Sequence, residues 1–138
     1  MIFVDTTFWV GYADSNDDFH ESARTAIEAI RKGTAPSAMT SSFVLDEAVT
    51  ILGRRRGFGA GKASKVAGGV LASPRVFTIH IDEALFKHSL SLYPAFDGVL
   101  SLTDVSTVVA MQSFGVKDIL SHDQDFDKVE GIRRREEP

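Results

Sequence analysis

Short apolar segments of strand character alternate along this chain with longer segments of helical periodicity, and this alternation limits the folds available to it. Strands are predicted at residues 2–5, 36–39, 75–81 and 118–121. The first predicted helix runs through Phe8, Trp9 and Tyr12, and the second covers residues 18–32. The third begins at residue 41 or 42 and ends within 54–57, and three more are predicted at 59–73, 83–93 and 103–115. Strands that alternate with helices form a parallel sheet covered on both faces, so the sequence predicts an α/β fold with a mostly parallel central sheet. The tail from about residue 131 is predicted to add an edge strand and then fray.

Local signals predict where several of these elements begin and end. Asp17 or Asp18 is expected to cap the start of the second helix, and Gly33 is expected to end it. Pro94 is expected to stop the helix that begins near residue 83, because proline cannot donate a helical hydrogen bond. The helix that begins at residue 41 or 42 is expected to bury Val44, Ala48, Ile51 and Leu52.

The composition is that of one globular domain. The chain has 138 residues, of which 43% are hydrophobic and 25% are charged, and these proportions argue against disorder. The absence of cysteine excludes disulfide scaffolds, thiolate zinc sites and cysteine nucleophiles. No apolar run approaches the ~20 residues that span a bilayer, and the first residues lack the basic start of a signal peptide. We therefore expect a single cytoplasmic domain over residues 1–138.

The net charge and its distribution point in different directions. A formal charge of −4 disfavours a nucleic-acid partner, because phosphate binding usually leaves a basic footprint. The basic residues are nevertheless clustered: Arg54–Arg56 form one block, followed by Lys62 and Lys65, and Arg133–Arg135 form another. Such blocks are usually solvated surface, so they leave nucleic-acid binding open without establishing it.

Three acidic residues follow predicted strands at their carboxyl ends. Asp5 ends the first strand, and Asp123 and Asp125 follow the fourth. Open α/β sheets bind their ligands outside the carboxyl ends of the strands, so these residues are candidates for a functional site. Taken alone, Asp5 could equally be the N-cap of the helix that follows it.

Two further carboxylates fall on apolar helix faces. Glu47 shares a helical stripe with Val44 and Ile51, whereas the neighbouring Asp46 points about 100° away, toward solvent. Asp104 falls on the apolar face of the last helix in the same way. A carboxylate on a buried face is costly unless a partner or a cation accompanies it. Asp104 has an alternative interpretation as a first-turn acid that complements the helix dipole.

Carboxylates gathered in one pocket would repel one another. At 4 Å and an effective dielectric of ~20, each pair costs on the order of 4 kcal/mol, so either some protonate or a cation joins them. Oxygen ligands without cysteine or clustered histidine favour Mg²⁺ or Mn²⁺ over zinc. A site of this kind suits the hydrolysis of a phosphodiester bond.

Four segments of the chain resemble the motifs of PIN-domain ribonucleases, and among these the VapC-type toxins of bacterial and archaeal toxin–antitoxin pairs. They are Phe-Val-Asp-Thr at 3–6, Thr-Ser-Ser-Phe-Val-Leu-Asp-Glu at 40–47, Ser-Leu-Thr-Asp-Val-Ser at 101–106 and Ser-His-Asp-Gln-Asp-Phe at 121–126. The similarity extends over nearly the whole chain, in the order and at the spacing usual for the family.

The resemblance implies a PIN-like fold and a metal-dependent endoribonuclease that uses one or two Mg²⁺ or Mn²⁺ ions. The acidic set of the family falls on Asp5, Glu47, Asp104 and Asp123. By this resemblance Asp5 and Asp104 bind the metal directly, and Glu47 and Asp123 bind it directly or through water. Asp125 is a possible substitute for Asp123. Thr6 matches a hydroxyl residue that would orient the first aspartate by a hydrogen bond.

The resemblance also implies partners. These are an RNA substrate, a small antitoxin protein that covers the active-site groove, and a second copy of the chain in a homodimer. Arg54, Arg55 and Arg56 are candidates for contact with RNA phosphates. His122 is expected to be structural or solvent-facing rather than a general base.

Two alternatives remain open at this stage. The first is a non-catalytic PIN-like module that binds RNA or a protein, against which the complete acidic set argues. The second is a PIN-type nuclease that acts on DNA, which an assay with DNA substrates would distinguish.

Overall fold

A computed structural model describes residues 1–138 and contains one sheet of five short strands. The strands are β1 Ile2–Val4, β2 Ala38–Ser41, β3 Val76–Ile79, β4 Asp118–Leu120 and β5 Arg133–Arg135. Their order in the sheet is β3-β2-β1-β4-β5, and every neighbouring pair is parallel. The predicted α/β fold is confirmed, including the edge strand in the tail, and the sheet is parallel throughout.

Six α-helices connect the strands in pairs. They are α1 Thr6–Ala13, α2 His20–Lys32, α3 Ser42–Arg54, α4 Gly59–Leu71, α5 Glu83–Leu92 and α6 Leu102–Ser113. Short 3₁₀ helices follow at Tyr93–Phe96 and Gln124–Lys128. None of the helices combines the length and apolar character needed to cross a bilayer.

The strand order reverses direction beside β1. The chain moves from β1 to β2 and β3 on one side, and then returns to place β4 on the other side of β1. Because parallel crossovers are right-handed, α1 to α4 cover one face of the sheet and α5 and α6 cover the other. The carboxyl ends of β1 and β4 therefore lie at the switch point, where ligand sites of such sheets are found.

The centre of the core lies under α1 and β2. The fully buried Trp9 indole donates a hydrogen bond of 3.0 Å to the Thr40 hydroxyl, which in turn donates to the Val4 carbonyl at 3.0 Å. A buried indole N–H needs such an acceptor. This chain of bonds ties α1, β2 and β1 together directly behind the carboxyl end of β1.

Two predicted element starts are displaced by side-chain hydrogen bonds. Asp17 Oδ1 accepts from the Phe19 amide at 2.9 Å and stabilises the turn before α2, so that helix begins at His20 without the predicted aspartate cap. The predicted Gly33 terminus of α2 is confirmed, with φ at +78°. The second strand is shifted to Ala38–Ser41, because Ser41 ends it and caps α3 through a 3.2 Å bond from the Val44 amide.

One other local prediction was wrong. Ile51 is 37% exposed, because α3 turns Leu45 and Leu52 toward its neighbours instead. The predicted end of α5 before Pro94 is confirmed, since the α-helix ends at Leu92 and Tyr93–Phe96 follow it as a 3₁₀ turn. Pro94 stands near the start of that turn, where a missing N–H leaves no hydrogen bond unmade.

Candidate active site

Asp5 and Ser121 meet at the carboxyl ends of β1 and β4. The two strands pair Phe3 with Ile119 and Val4 with Leu120, so the residues that follow them lie side by side. The Ser121 hydroxyl donates a 2.8 Å hydrogen bond to Asp5 Oδ2, and both side chains are buried. Asp5 occupies the N-cap position of α1, but its side chain makes no capping bond. The N-cap position predicted as one alternative for Asp5 is therefore confirmed, but its carboxyl is not used for capping.

The Asp5 carboxyl is held in an environment that disfavours its charged form. Only 3% of the residue is exposed, and its Oδ1 atom is buried without any hydrogen-bond partner. Burial raises the pKa of Asp5 to about 6. Hydrogen bonds from Ser121 and the Thr6 backbone lower this pKa, but their effect is smaller than that of burial. The charges of Asp104 and Glu47 raise that pKa further, so both lie within electrostatic reach of Asp5.

Glu47 is held by Thr6. The Thr6 hydroxyl donates a hydrogen bond of 2.6 Å to Glu47 Oε2, which links the first turn of α1 to the second turn of α3. The predicted partner of this hydroxyl was Asp5, and that assignment was wrong. Thr7 is the hydroxyl that approaches Asp5 Oδ2, at 3.2 Å, because the turn after β1 directs its side chain toward β4. Asp46 is exposed, as predicted.

Asp104 is an acidic first-turn residue of α6, as its second interpretation predicted, and it is also partly buried. It forms a capping box with Ser101, in which Asp104 Oδ2 accepts from the Ser101 amide at 3.0 Å and the Ser101 hydroxyl accepts in return at 3.1 Å. Burial raises the pKa of Asp104, and the charges of Asp123 and Glu47 raise it further. The capping box thus fixes a partly buried carboxylate that faces two other acids.

Asp123 rather than Asp125 lies within electrostatic reach of Asp104. The Asp123 amide donates to the Ser121 hydroxyl at 3.0 Å, and Asp123 Oδ1 accepts from the Asp125 amide at 2.9 Å. Asp125 instead forms an ion pair of 2.6 Å with Lys128. The geometry therefore favours Asp123 as the fourth acidic residue, held in place by the same serine that binds Asp5.

The donor set suits a hard divalent cation, although it does not form a closed coordination shell. No three acidic or histidine side chains stand close enough together to hold an ion as they are placed. The unpartnered Asp5 Oδ1 is nevertheless a buried oxygen that lacks a hydrogen bond, and such atoms are rare in folded proteins. Carboxylate oxygens are the ligands that Mg²⁺ and Mn²⁺ prefer. Asp5 and Asp104, with Glu47 and Asp123 beside them, are the residues that could hold the ion.

His122 has a structural position. Its ring stacks between Phe8 and Phe19, with centroid distances of 4.3 and 4.1 Å and interplanar angles of 9° and 11°. Both ring nitrogens are buried without partners, and burial lowers the pKa of the imidazole. The expectation that His122 is not a general base agrees with this packing.

The two arginine blocks differ in how their charges are used. Arg55 forms ion pairs with Asp14 at 2.7 Å and Asp17 at 2.8 Å, so it is occupied within the fold, unlike its neighbours Arg54 and Arg56. Arg55 is therefore withdrawn as a candidate for RNA contact. The block at residues 133–135 is bound by acidic residues along its whole length; the acids are Asp118, Asp127 and Glu136.

Sequence reasoning missed the two hydroxyl residues that organise this site, Ser121 and Thr7. Besides approaching Asp5, the Thr7 hydroxyl accepts from the His122 amide at 3.0 Å. The available signal was positional: a hydroxyl residue directly after β4 stands beside any residue directly after β1, once the two strands are known to be neighbours.

Both the sequence and the fold of this chain have counterparts among known proteins. The chain is 29% identical over 127 residues to the 23S rRNA-specific endonuclease VapC20 of Mycobacterium tuberculosis, which covers 91% of this chain and 92% of that protein. The crystal structure of Mycobacterium tuberculosis VapC20, described as a sarcin-ricin loop cleaving toxin, superposes with a TM-score of 0.77 at 28% identity. That match covers 93% of this chain and 94% of the other.

Two further solved structures share the fold at lower identity. VapBC2 from Rickettsia felis, bound to a promoter DNA fragment, matches with a TM-score of 0.69 at 13% identity and covers 98% of each chain. A toxin–antitoxin complex from Klebsiella pneumoniae matches with a TM-score of 0.66 at 17% identity and covers 96% of each chain. Residues 2–132 match the PIN domain family, and the chain therefore belongs to it.

Proposed function

We propose that this protein is a metal-dependent endoribonuclease that hydrolyses RNA phosphodiester bonds and acts as the toxin of a type II toxin–antitoxin system. The observation that carries the proposal is the Asp5 carboxyl, which is buried, has an unpartnered oxygen and lies within the electrostatic influence of Glu47 and Asp104. A carboxylate in this position gains most from a cation, because a buried negative charge without a partner is strongly destabilising.

Each residue of the site has a separate task in this proposal. Asp5 and Asp104 hold the metal, and Glu47 and Asp123 complete its surroundings directly or through water. Mg²⁺ or Mn²⁺ bound there supplies Lewis acidity toward the phosphodiester. Ser121 holds Asp5 Oδ2 and the Asp123 amide in register. Glu47, fixed by Thr6, and Asp123 help to position the attacking hydroxide.

The test is a cleavage assay with total RNA, 23S rRNA and single- and double-stranded DNA, with Mg²⁺ or Mn²⁺ and with excess EDTA. We expect RNA cleavage that needs the divalent ion and is abolished in Asp5→Asn and Asp104→Asn. Glu47→Gln should be impaired, whereas Asp46→Asn, its exposed neighbour on α3, should retain wild-type activity. Cleavage that persists in EDTA would contradict the proposal.

The same assay separates the two alternatives. Preferential cleavage of DNA would identify a DNA nuclease. RNA binding without cleavage under any metal condition would identify a non-catalytic module. The retention of all four carboxylates in one region supports the catalytic interpretation.

An antitoxin partner is part of the proposal. The relative VapC20 is described as a toxin, and a small protein that inserts a basic side chain among these carboxylates would compete with the metal for the same charges. Co-expression with the product of the adjacent gene, followed by purification through a tag on either protein, tests this. Cleavage should be inhibited in the complex and recovered when the partner is removed.

A homodimer is also proposed. Phe86 and Leu90 on α5 and Tyr93 directly after it are exposed apolar residues at the spacing of one helix face. Large exposed apolar patches mark contact surfaces between proteins. Light scattering should give twice the chain mass for the wild type, and Leu90→Glu should shift it toward the monomer.

A further inference from the structure

One continuous segment of this acidic protein contains no acidic residue. Between Glu47 and Asp82 the sequence has no aspartate or glutamate, although the chain as a whole carries a net charge of −4. The segment covers the end of α3, the turn after it, α4 and β3. Its basic residues are Arg54, Arg55, Arg56, Lys62, Lys65 and Arg75.

Two of these six charges are used inside the fold. Arg55 is bound by Asp14 and Asp17, and Arg75 donates to the backbone carbonyls of Ile30 and Ala35 at 3.1 and 2.7 Å. The remaining four are exposed and have no acidic partner: Arg54, Arg56, Lys62 and Lys65. They occur within twelve residues of sequence, on the last turn of α3, the turn after it and the first half of α4.

This surface, which we call the α3–α4 arm, differs from the rest of the molecule. The arginine block on β5 is neutralised by Asp118, Asp127 and Glu136, and Lys87 and Lys128 are each paired with an acid on their own helix. Unpaired lysines elsewhere, Lys32 and Lys117, are isolated from one another in the sequence. The arm therefore concentrates positive charge that nothing in the chain compensates.

The arm begins on the same helix, α3, that carries Glu47 of the candidate active site. Arg54 follows Glu47 by seven residues on α3, which puts both on the same helix face about 10 Å apart along the axis. Beyond Arg54, a cleft of about 390 Å³ opens between the turn after α1 and the start of α4. Arg56, Lys62 and Lys65 line one wall of the cleft, together with Phe58, and the other wall includes Asp14, whose charge is paired with Arg55.

The acidic pocket creates a need for such a surface. Four carboxylates repel the phosphates of a nucleic acid, and an overall negative protein gains no affinity from its net charge. Affinity for RNA must therefore come from cations placed beside the pocket rather than in it, since phosphate contacts supply most of the sequence-independent binding. About 10 Å is the axial length of roughly three nucleotide steps in a nucleic-acid helix, so RNA seated at the pocket can reach Arg54, where the arm begins.

We propose that Arg54, Arg56, Lys62 and Lys65 form a phosphate-binding surface that holds the RNA strand next to the bond to be cleaved. This inference rests on the proposed function, because it takes RNA as the substrate. Arg55 is a positioning residue in this arrangement: it anchors the turn after α3 to Asp14 and Asp17, and so fixes where the four free cations stand.

The experiment measures binding without cleavage. A fluorescein-labelled RNA stem-loop is titrated with protein in EDTA, and anisotropy is recorded between 50 and 200 mM KCl. The variants are Lys62→Gln/Lys65→Gln and Arg54→Gln/Arg56→Gln. The matched control is Lys32→Gln/Lys117→Gln, which removes the same charge from exposed, unpaired positions elsewhere. Circular dichroism melting verifies that each variant is folded.

We expect each arm variant to bind RNA about tenfold more weakly at 100 mM KCl, with the slope of log affinity against log salt reduced by about 1.4–1.8 for two lost contacts. The control should change affinity by less than about twofold. Equal losses in the arm variants and the control would overturn the inference, because the effect would then be one of net charge. Unchanged RNA affinity in both arm variants would overturn it as well.

The outcomes separate this inference from the proposed function. If the arm variants lose RNA affinity but the wild type cleaves no RNA with Mg²⁺ or Mn²⁺, the binding surface stands and the nuclease does not. If the wild type cleaves RNA while arm and control variants bind alike, the nuclease stands and the phosphate-binding surface does not.

Discussion

The Ser121 hydroxyl donates a 2.8 Å hydrogen bond to Asp5 Oδ2 across 116 positions of sequence, and it accepts a 3.0 Å hydrogen bond from the Asp123 backbone amide. One side chain thus helps to position two acidic residues that follow different strands, β1 and β4. It is also the strongest influence that opposes the raised pKa of Asp5. The behaviour of the site with pH should therefore depend on a residue that needs no contact with metal or RNA.

Ser121→Ala should raise the pKa of Asp5 above that of the wild type, because a hydrogen bond that favours the carboxylate is lost. In a plot of cleavage rate against pH, the acidic limb should move to higher pH. Near pH 6 the variant should cleave RNA about tenfold more slowly than the wild type. The loss of a buried bond to a charged group should also cost about 1.5–3 kcal/mol of stability. Ser121→Thr retains the hydroxyl and serves as the control; a profile identical to the wild type in Ser121→Ala would contradict this role.

Asp5→Asn should make the protein more stable at neutral pH. The pKa of Asp5 is about 6 in the folded protein and 3.8 in the unfolded chain. The stabilisation of the folded state by the protonated carboxyl is therefore complete below pH 3.8 and is lost as pH rises through 6. Two units of pKa correspond to an upper limit of about 3 kcal/mol. Urea unfolding at pH 4 and pH 7.5 tests this. The variant should gain stability over the wild type at pH 7.5 and little at pH 4; a variant less stable at pH 7.5 would refute the assignment.

Thr6 and Glu47 should act as a unit. The 2.6 Å bond from the Thr6 hydroxyl fixes one glutamate oxygen, so Thr6→Val should reduce cleavage by about tenfold, whereas Thr6→Ser should restore most of it. In a double-mutant cycle, Thr6→Val/Glu47→Gln should be no worse than Glu47→Gln alone. Additive losses in the double variant would show that Thr6 works through another group.

Arg55→Gln should destabilise the fold even though Arg55 belongs to a run of surface arginines. Its guanidinium bridges Asp14 and Asp17, whose side chains are only 12% and 11% exposed. Loss of the guanidinium leaves these two nearly buried acids without a cation. We expect a loss of about 1–3 kcal/mol in urea unfolding. Arg24→Gln breaks an exposed pair with Glu21 and is the control, with an expected loss below about 1 kcal/mol. Equal effects of the two substitutions would contradict the bridging role.

The fold was predictable because its signals are local. Apolar triplets such as Ile2–Val4 and the helical spacing of Val44, Ala48 and Leu52 are properties of neighbouring residues, and their alternation implies a parallel sheet. The same reasoning placed Asp5 at the carboxyl end of a strand. Element ends were less predictable, because a single side-chain bond, such as Asp17 to the Phe19 amide, shifts them by two residues.

The partners of the site residues could not be read from the sequence. Thr6 binds Glu47 rather than the adjacent Asp5, and Ser121 takes the place beside Asp5, because the register of β1 with β4 and the approach of α1 to α3 decide which groups meet. The same holds for the arginine runs. Arg55 forms ion pairs with Asp14 and Asp17 and Arg54 forms none, although nothing in the sequence of the run distinguishes the two residues. Residue type and periodicity determined the elements and the acids at their ends, whereas contacts between distant segments determined which charges are held and which are available.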